Sequence, residues 1–113
     1  MTEIGIKLQL RNILLRHEGK ARAIIGRDLA TLVGQHSDRR VRQVIRGLIS
    51  DGLPIASSTE APFGYFLVAT RQEAEQYAAS IRSRLIEDAL RRRDFRRAAD
   101  MHLTPAQQGI FQI

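Results

Sequence analysis

The chain contains no cysteine, which excludes disulfide bridges and thiolate metal sites and fits a reducing compartment. No apolar run approaches the ~18 residues that a membrane-spanning helix needs. The N-terminus also lacks the basic-then-apolar layout of a secretory signal. From these absences we expect a cytoplasmic protein that does not span a membrane.

The sequence also lacks the residue patterns of common catalytic and metal sites. His36-Ser37-Asp38 contains the residue types of a catalytic triad, but neighbours on a turn and a helix start cannot form the Ser-to-His-to-carboxylate relay. His17, His36 and His102 do not have metal-ligand spacing. No glycine-rich phosphate loop and no pair of carboxylates suited to acid–base catalysis is present. We therefore expect no enzyme activity and no cofactor, metal or small-molecule ligand.

Arginine dominates the polar residues that are present. Eighteen Lys+Arg residues face 12 Asp+Glu residues, and only Lys7 and Lys20 are lysines. Arginine forks pair with phosphates and with guanine edges, so this composition favours a polyanionic partner such as nucleic acid. A merely solvated basic surface is the alternative, and a basic amphipathic helix lying on a membrane surface is a further one. The 113 residues, 43% of them hydrophobic, suffice for one domain with a modest core.

Three short helices are predicted in the first half of the chain. Apolar spacing predicts a first helix over about Glu3–Arg16 and a second over Arg27–Val33, with Gly26 as a weak N-cap. Gly34 is predicted to end the second helix, and Ser37 to cap a third over about 37–50. The core-facing residues of the third helix recur at helical spacing: Val41, Val44, Ile45, Leu48 and Ile49.

A β-hairpin is predicted after the third helix. Its strands are Leu53–Ser58 and Phe63–Ala69, and the second is rich in aromatic and β-branched residues. The link at 59–62 has loop composition. Ala23 to Ile25 is a short apolar run that is a candidate for a brief strand joining this hairpin.

A long helix is predicted after the hairpin. Thr70 and Glu73 form a capping box, which is a specific signal for a helix start. The chain is therefore divided into a region of helices and hairpin at 1–69, a long C-terminal helix at 70–99 and a tail at 100–113. The apolar stripe of the long helix consists of Ala74, Tyr77, Ala78, Ile81, Leu85 and Ala89.

The second and third helices have the pattern of a helix-turn-helix. Leu29-Ala30 and the apolar side of the third helix pack together, and the arginine-rich side stays outside, where it can enter a major groove. The residues that carry the pattern are Leu29-Ala30, Ser37, Arg39-Arg40-Val41-Arg42, Ile45, Leu48, Gly52-Leu53-Pro54-Ile55 and Gly64-Tyr65-Phe66-Leu67. The segment at about 3–69 resembles the winged helix-turn-helix domains of bacterial and phage regulators, including the biotin-repressor type and the N-terminal domains of WYL-type regulators. Arg40 stands where threonine is common in that pattern, and Phe63 stands where glycine is common.

The resemblance implies a mainly α fold with a small β-hairpin wing, a winged helix-turn-helix followed by a long C-terminal helix. It implies a DNA-binding site on the third helix and the wing, formed by Ser37, Arg39, Arg40, Arg42, Gln43, Arg46, Ser57, Ser58 and Thr59. Arg39, Arg40 and Gln43 are the expected base readers, and Arg42, Arg46 and Ser37 the expected phosphate contacts.

Several of these residues have structural alternatives. The alternative to a DNA contact for Arg46 is an ion pair with Asp51 or Glu18. Tyr65 and Phe66 are expected to pack the hairpin against the core, and not to serve as platforms for base stacking. Glu60 in the wing would repel phosphate, which weakens the part of the wing in binding.

The expected function is sequence-specific binding of double-stranded DNA by a bacterial or phage transcriptional regulator. The alternative is a winged-helix accessory or interaction module, for example in phage replication or recombination, with non-specific DNA binding or none. RNA binding is a third possibility. The first half of the long helix is expected to pack on the first helix and complete the domain, and its second half to pair with its own copy in a homodimer. The basic run Arg91–Arg97 either holds phosphate or is a solvated helix end.

Overall fold

A computed structural model describes residues 2–107, with side chains through residue 104. It has a long C-terminal helix and a two-stranded hairpin after three shorter helices, which confirms the mainly helical fold. The elements are α1 (Glu3–Leu14), a 3-10 turn (Lys20–Arg22), α2 (Gly26–Leu32), α3 (Arg39–Ser50), β1 (Ile55–Ser58), β2 (Gly64–Leu67) and α4 (Arg71–Gln107). The chain forms two compact units that divide between Tyr77 and Ala78, within α4.

The core of the first unit is built from the apolar sides of α1, α2 and α3 and from the hairpin. Its buried members are Ile6, Leu10, Leu14, Leu29, Ala30, Val33, Val41, Val44, Ile45, Leu48, Ile55 and Leu67. Four of the five residues predicted to face the core from α3 are buried. The prediction for Ile49 is wrong, since its side chain is 45% exposed at the edge of the apolar stripe.

Glycines end both helices of the predicted helix-turn-helix, as the sequence indicated. Gly34 and Gly52 have φ angles of +73° and +108°, which L side chains rarely adopt. The residue after each glycine donates its N–H to a carbonyl inside the preceding helix, at 2.8 Å for Gln35 and 3.0 Å for Leu53. These bonds are those of the Schellman motif, which satisfies helix carbonyls that would otherwise lack a donor.

The starts of α2 and α3 differ from the sequence-based predictions. Gly26 is the first residue of α2 and not its cap. Ser37 is not the cap of α3, because Asp38 occupies that position and the helix begins at Arg39. The Asp38 carboxylate makes no capping hydrogen bond, and accepts instead from the Arg42 guanidinium at 2.8 Å. The predicted hydroxyl cap is thus absent, and the Asp38 side chain forms an ion pair with Arg42 instead.

The hairpin strands pair antiparallel, with Ile55 opposite Leu67 and Ser58 opposite Gly64. Both strands are shorter than predicted, and the link between them covers residues 59–63. The short apolar run at 23–25 joins the hairpin by a single antiparallel bridge, in which Ile24 and Tyr65 exchange two N–H···O bonds of 2.8 and 2.7 Å. The expected brief strand is therefore present as this one bridge.

The capping box at the start of α4 is confirmed. The Glu73 N–H donates to the Thr70 hydroxyl at 3.1 Å. The Glu73 carboxylate accepts from the Ala69 N–H at 2.8 Å and from the Lys20 N–H at 2.9 Å, and thereby joins the helix start to the 3-10 turn. The hydrogen bond from the Ala69 N–H has the largest effect on the Glu73 carboxyl, and the bond from the Lys20 N–H adds to it. Together these bonds hold the pKa of the carboxyl below its ordinary value.

Replacing Glu73 with glutamine should lower the stability of the first unit by about 1–2 kcal/mol at neutral pH, because two N–H donors lose a charged acceptor. The folded-state pKa of Glu73 is depressed, so its contribution is present above its ordinary pKa of 4.5 and is lost as the pH falls through the folded value. The difference between Glu73→Gln and the unchanged chain should therefore shrink in acid, as measured by urea unfolding across pH.

The matched control for Glu73→Gln is Glu75→Gln in the same helix. Glu75 makes only an exposed ion pair with Arg71, at 3.9 Å, and such pairs contribute little. Equal losses for the two variants would contradict the anchoring role of Glu73.

In the second unit, the described chain is the continuous helix α4. Its side chains from Ala78 to Ala98 are all exposed, including several large apolar ones. The helix extends to Gln107, so residues 100–107 of the predicted tail are helical, and residues 108–113 lie outside the described part of the chain. Among residues 2–107, no helix combines the length and the apolar character needed to cross a membrane.

Candidate nucleic-acid interface

The outer side of α3 carries three arginines and a glutamine that line one open depression. They are Arg39, Arg42, Gln43 and Arg46, and we call this set the basic face. The set recurs at helical spacing opposite the buried stripe, because residues three and four apart share a side of a helix. Since α3 contains no acidic residue of its own, its outer side is strongly positive.

The arginines of the basic face are held differently. Arg42 pairs with Asp38 one turn earlier, at 2.8 Å, so its guanidinium has a defined position. Within residues 2–104, no ion pair holds Arg39 or Arg46. In particular, the predicted alternative of an Arg46–Asp51 pair does not form, because Asp51 pairs with Lys7 at 2.6 Å.

Gly26 makes room for the Asp38 side chain at the start of α2. A Cβ added at Gly26 would lie 3.1 Å from an Asp38 carboxylate oxygen and 3.4 Å from the Tyr65 ring. Asp38 and Tyr65 can approach α2 this closely because the position has no side chain. The missing side chain at residue 26 thus leaves room for the Asp38 carboxylate that pairs with Arg42.

Tyr65 joins the hairpin to the margin of the basic face. Its half-buried ring packs against the core and also lines a second depression beside α3, together with Arg42, Ile45, Arg46, Ile49 and Ser50. Burial has the largest effect on the Tyr65 phenol and raises its pKa. The charge of Arg42 opposes this rise, and Asp38 and Tyr77 add to it. The phenol is therefore a neutral hydrogen-bonding group at neutral pH. The sequence correctly predicted that Phe66 is buried and that Tyr65 packs on the core, but not that Tyr65 borders this depression.

Arg40 lies on α3 beside the basic face, on the side nearest α1. Its guanidinium lies 3.6 Å from the Glu3 carboxylate of α1. Gly47 lies on the same side of α3, where an added Cβ would be 3.6 Å from the Lys7 amine. The Arg40 guanidinium is thus directed toward α1, and Arg40 is not among the residues that line the depression of the basic face.

The predicted hairpin contacts are mostly engaged within the protein. The Ser58 side chain is buried, and its hydroxyl donates to the Glu60 carbonyl at 2.7 Å and accepts from the Glu60 N–H at 3.2 Å. The Ser57 hydroxyl lies 3.4 Å from the Tyr77 hydroxyl. Thr59 is exposed at the hairpin link, and Ser37 is exposed in the turn before α3.

Lys20 offsets the negative charge of the hairpin link. Its amine donates to the Glu60 carboxylate at 2.7 Å. This hydrogen bond, with the charge of Lys20, lowers the pKa of Glu60, which keeps the carboxylate ionised. The repulsion of phosphate that Glu60 alone would cause is reduced by the amine beside it. No local pattern in the sequence indicates this pair, since its members are 40 residues apart along the chain.

No protein-family model matches this chain, and neither a curated protein nor a solved structure matches it. Within the described residues, no group of three or more histidine, aspartate or glutamate side chains is arranged to hold a metal ion. The outer side of α3 carries three arginines within eight residues, and α3 has no acidic residue.

Proposed function

We propose that this chain binds double-stranded DNA through the basic face and reads its sequence in the major groove. The proposal is supported most directly by the position of the basic face, whose four residues lie together on one exposed side of α3. An α-helix fits the major groove, and arginine and glutamine are the side chains that bind guanine and adenine edges there. The buried opposite side of α3 fixes the orientation of this face.

The residues of the basic face have separate roles in this proposal. Arg39 and Gln43 lie in the first half of α3, the part of a recognition helix that contacts base edges in helix-turn-helix proteins. Arg42 is tied to Asp38, so it suits a fixed phosphate contact. Arg46 has no ion-pair partner among residues 2–104 and lies one turn further along the same side, where it can contact either a base or a phosphate.

The hairpin has a smaller role than the resemblance alone implied. With Ser57 and Ser58 engaged inside the protein, the side chain of the predicted set that remains available is that of the exposed Thr59. Lys20 beside the link offsets the charge of Glu60, so the link does not repel the DNA backbone. We therefore assign the hairpin to contacts with the DNA backbone.

The resemblance to winged helix-turn-helix regulators extends the proposal to the control of transcription in a bacterium or phage. The order of α2, turn, α3 and hairpin supports it. A replication or recombination accessory would use the same basic face with little preference for sequence. The two roles differ in how strongly one duplex is preferred over another.

The test is selection of sites from a randomised duplex library, followed by binding measurements on the selected and a random duplex at two salt concentrations. Sequence-specific binding predicts a preference of about a thousandfold or more. Steep salt dependence with little preference would replace this proposal with non-specific accessory binding. Absence of binding to either duplex at low salt would favour an interaction module and reject the DNA proposal.

Single substitutions on α3 separate base reading from general charge. Arg39→Ala or Gln43→Ala should cost about 1–3 kcal/mol on the selected site and relax the preference at one or two base pairs. Arg40→Ala is the matched control, because it removes an arginine of the same helix that faces Glu3. An equal loss of preference in Arg40→Ala would place the reading surface elsewhere. The comparison is made by competition binding with single-base variants of the selected site.

A further inference from the structure

The second unit exposes large apolar side chains along one side of α4. Ile81, Leu85 and Phe95 are 47%, 67% and 71% exposed. They belong to a series that alternates steps of three and four residues, the spacing of a coiled-coil contact line. We call this series the seam, and its members are Ala78, Ile81, Leu85, Asp88, Arg92, Phe95, Ala99 and His102. Its length of more than three heptads is that expected of a helix that pairs with another helix.

Two charges of opposite sign interrupt the middle of the seam. In a parallel, in-register pair of identical helices, Asp88 would face its own copy and Arg92 would face its own copy. Both layers would then hold like charges, which is unfavourable. In an antiparallel pair centred at Leu90, Asp88 faces Arg92 of the second copy, and this favourable layer occurs twice by symmetry.

We propose that α4 binds a second copy of this chain as an antiparallel helix pair centred at Leu90. In this register Leu85 meets Phe95 and Ile81 meets Ala99 in apolar layers, and Ala78 meets His102 in the layer at each end. The central Asp88–Arg92 layers fix both orientation and register, as a polar layer in a helix pair does. This inference is independent of DNA binding, because it uses only side chains of the second unit.

The residues beside the seam permit this pairing. Ala89 meets its own copy near the symmetry axis, where its small side chain allows close approach of the helices. Arg91 also lies near its own copy, but it pairs with Asp88 at 3.2 Å in its own helix. Arg82 and Arg96 approach each other at the exposed margin, where charge interactions are weak and screened by salt.

Cysteine cross-linking tests orientation and register directly, because the full chain has no cysteine of its own. Ile81→Cys and Ala99→Cys are made separately and then mixed. The two positions are about 27 Å apart along one helix, so a disulfide between them can form only between chains. Antiparallel pairing predicts disulfide dimers in the oxidised mixture and none in either variant alone. Self-linked dimers of either variant alone, or no linkage in the mixture, would overturn the proposed register.

Charge reversal tests the central layers in the full chain by sedimentation. Asp88→Arg places arginine opposite Arg92 of the second copy and should raise the dimer dissociation constant at least about tenfold. Adding Arg92→Asp to the same chain should restore the dimer. Glu87→Arg is the matched control, since the same change of charge falls outside the seam and should leave the dimer intact. A monomer at every accessible concentration of the unchanged chain, or equal effects of Asp88→Arg and Glu87→Arg, would overturn the proposal.

Discussion

Replacing Arg39, Arg42 and Arg46 together with alanine is expected to weaken binding to the selected duplex by at least about a hundredfold. Each guanidinium on the basic face is proposed to displace counterions from a phosphate or to bind a base edge. The slope of log affinity against log salt concentration should therefore decrease by about 0.9 for each phosphate contact that is lost. Fluorescence anisotropy titrations at several salt concentrations measure both the affinity and the slope.

A second triple variant controls for the loss of net charge. It combines Arg11→Ala, Arg16→Ala and Arg40→Ala, which remove the same number of positive charges from residues outside the basic face. This variant should keep most of its affinity and its preference for the selected site. If both triple variants lose affinity and slope equally, binding depends on overall charge, and the basic face has no special part in it. Circular dichroism of each variant verifies that the helices remain folded.

The sequence predicted the buried side of α3 well, apart from Ile49, because burial imposes a strict period. Val41, Val44, Ile45 and Leu48 recur at helical spacing, so their common side could be assigned to the core without any knowledge of the partner helices. The Thr70–Glu73 capping box was equally informative, because the bond between its members is formed within one turn. Features that depend on neighbours a few residues apart were therefore predictable.

The site was predicted less completely because tertiary contacts decide which polar side chains remain available. Arg39 and Arg40 are adjacent in sequence, but only Arg40 meets Glu3, and that contact depends on how α1 packs on α3. Ser58 was predicted to contact DNA, but its side chain is buried and its hydroxyl is bonded to the Glu60 backbone. Neither arrangement follows from local spacing.

The long helix shows an intermediate case. Its alanine-rich apolar stripe indicated a contact surface, and the alternation of three and four residues can be found in the sequence alone. Its predicted end at residue 99 is too early, since the helix extends to Gln107. The exposure of Leu85 and Phe95 comes from the structure, and it directs attention to the seam as an uncovered surface.

Replacing Gly64 with alanine is expected to destabilise the first unit by at least about 3 kcal/mol, a large part of the stability of a small domain. Gly64 has a φ angle of +119°, which strains any L side chain. An added Cβ would also overlap the backbone carbonyl of Ile24. That carbonyl accepts a hydrogen bond from the Tyr65 N–H at 2.7 Å, so the overlap can be relieved only by opening the bridge between the hairpin and residue 24. Urea unfolding followed by circular dichroism measures the loss.

Gly34→Ala separates backbone strain from steric overlap. Gly34 also has a positive φ angle, +73°, but no atom lies within 4 Å of a Cβ added there. Its substitution should cost about 1–2 kcal/mol, the penalty for a left-handed conformation alone. Because Tyr65 borders the basic face, opening the bridge in Gly64→Ala should also weaken duplex binding. Gly34→Ala should bind the duplex normally under conditions in which it is folded. Equal losses of stability in the two variants would show that the hairpin accommodates a side chain at Gly64 and that its bridge to Ile24 is not rigid.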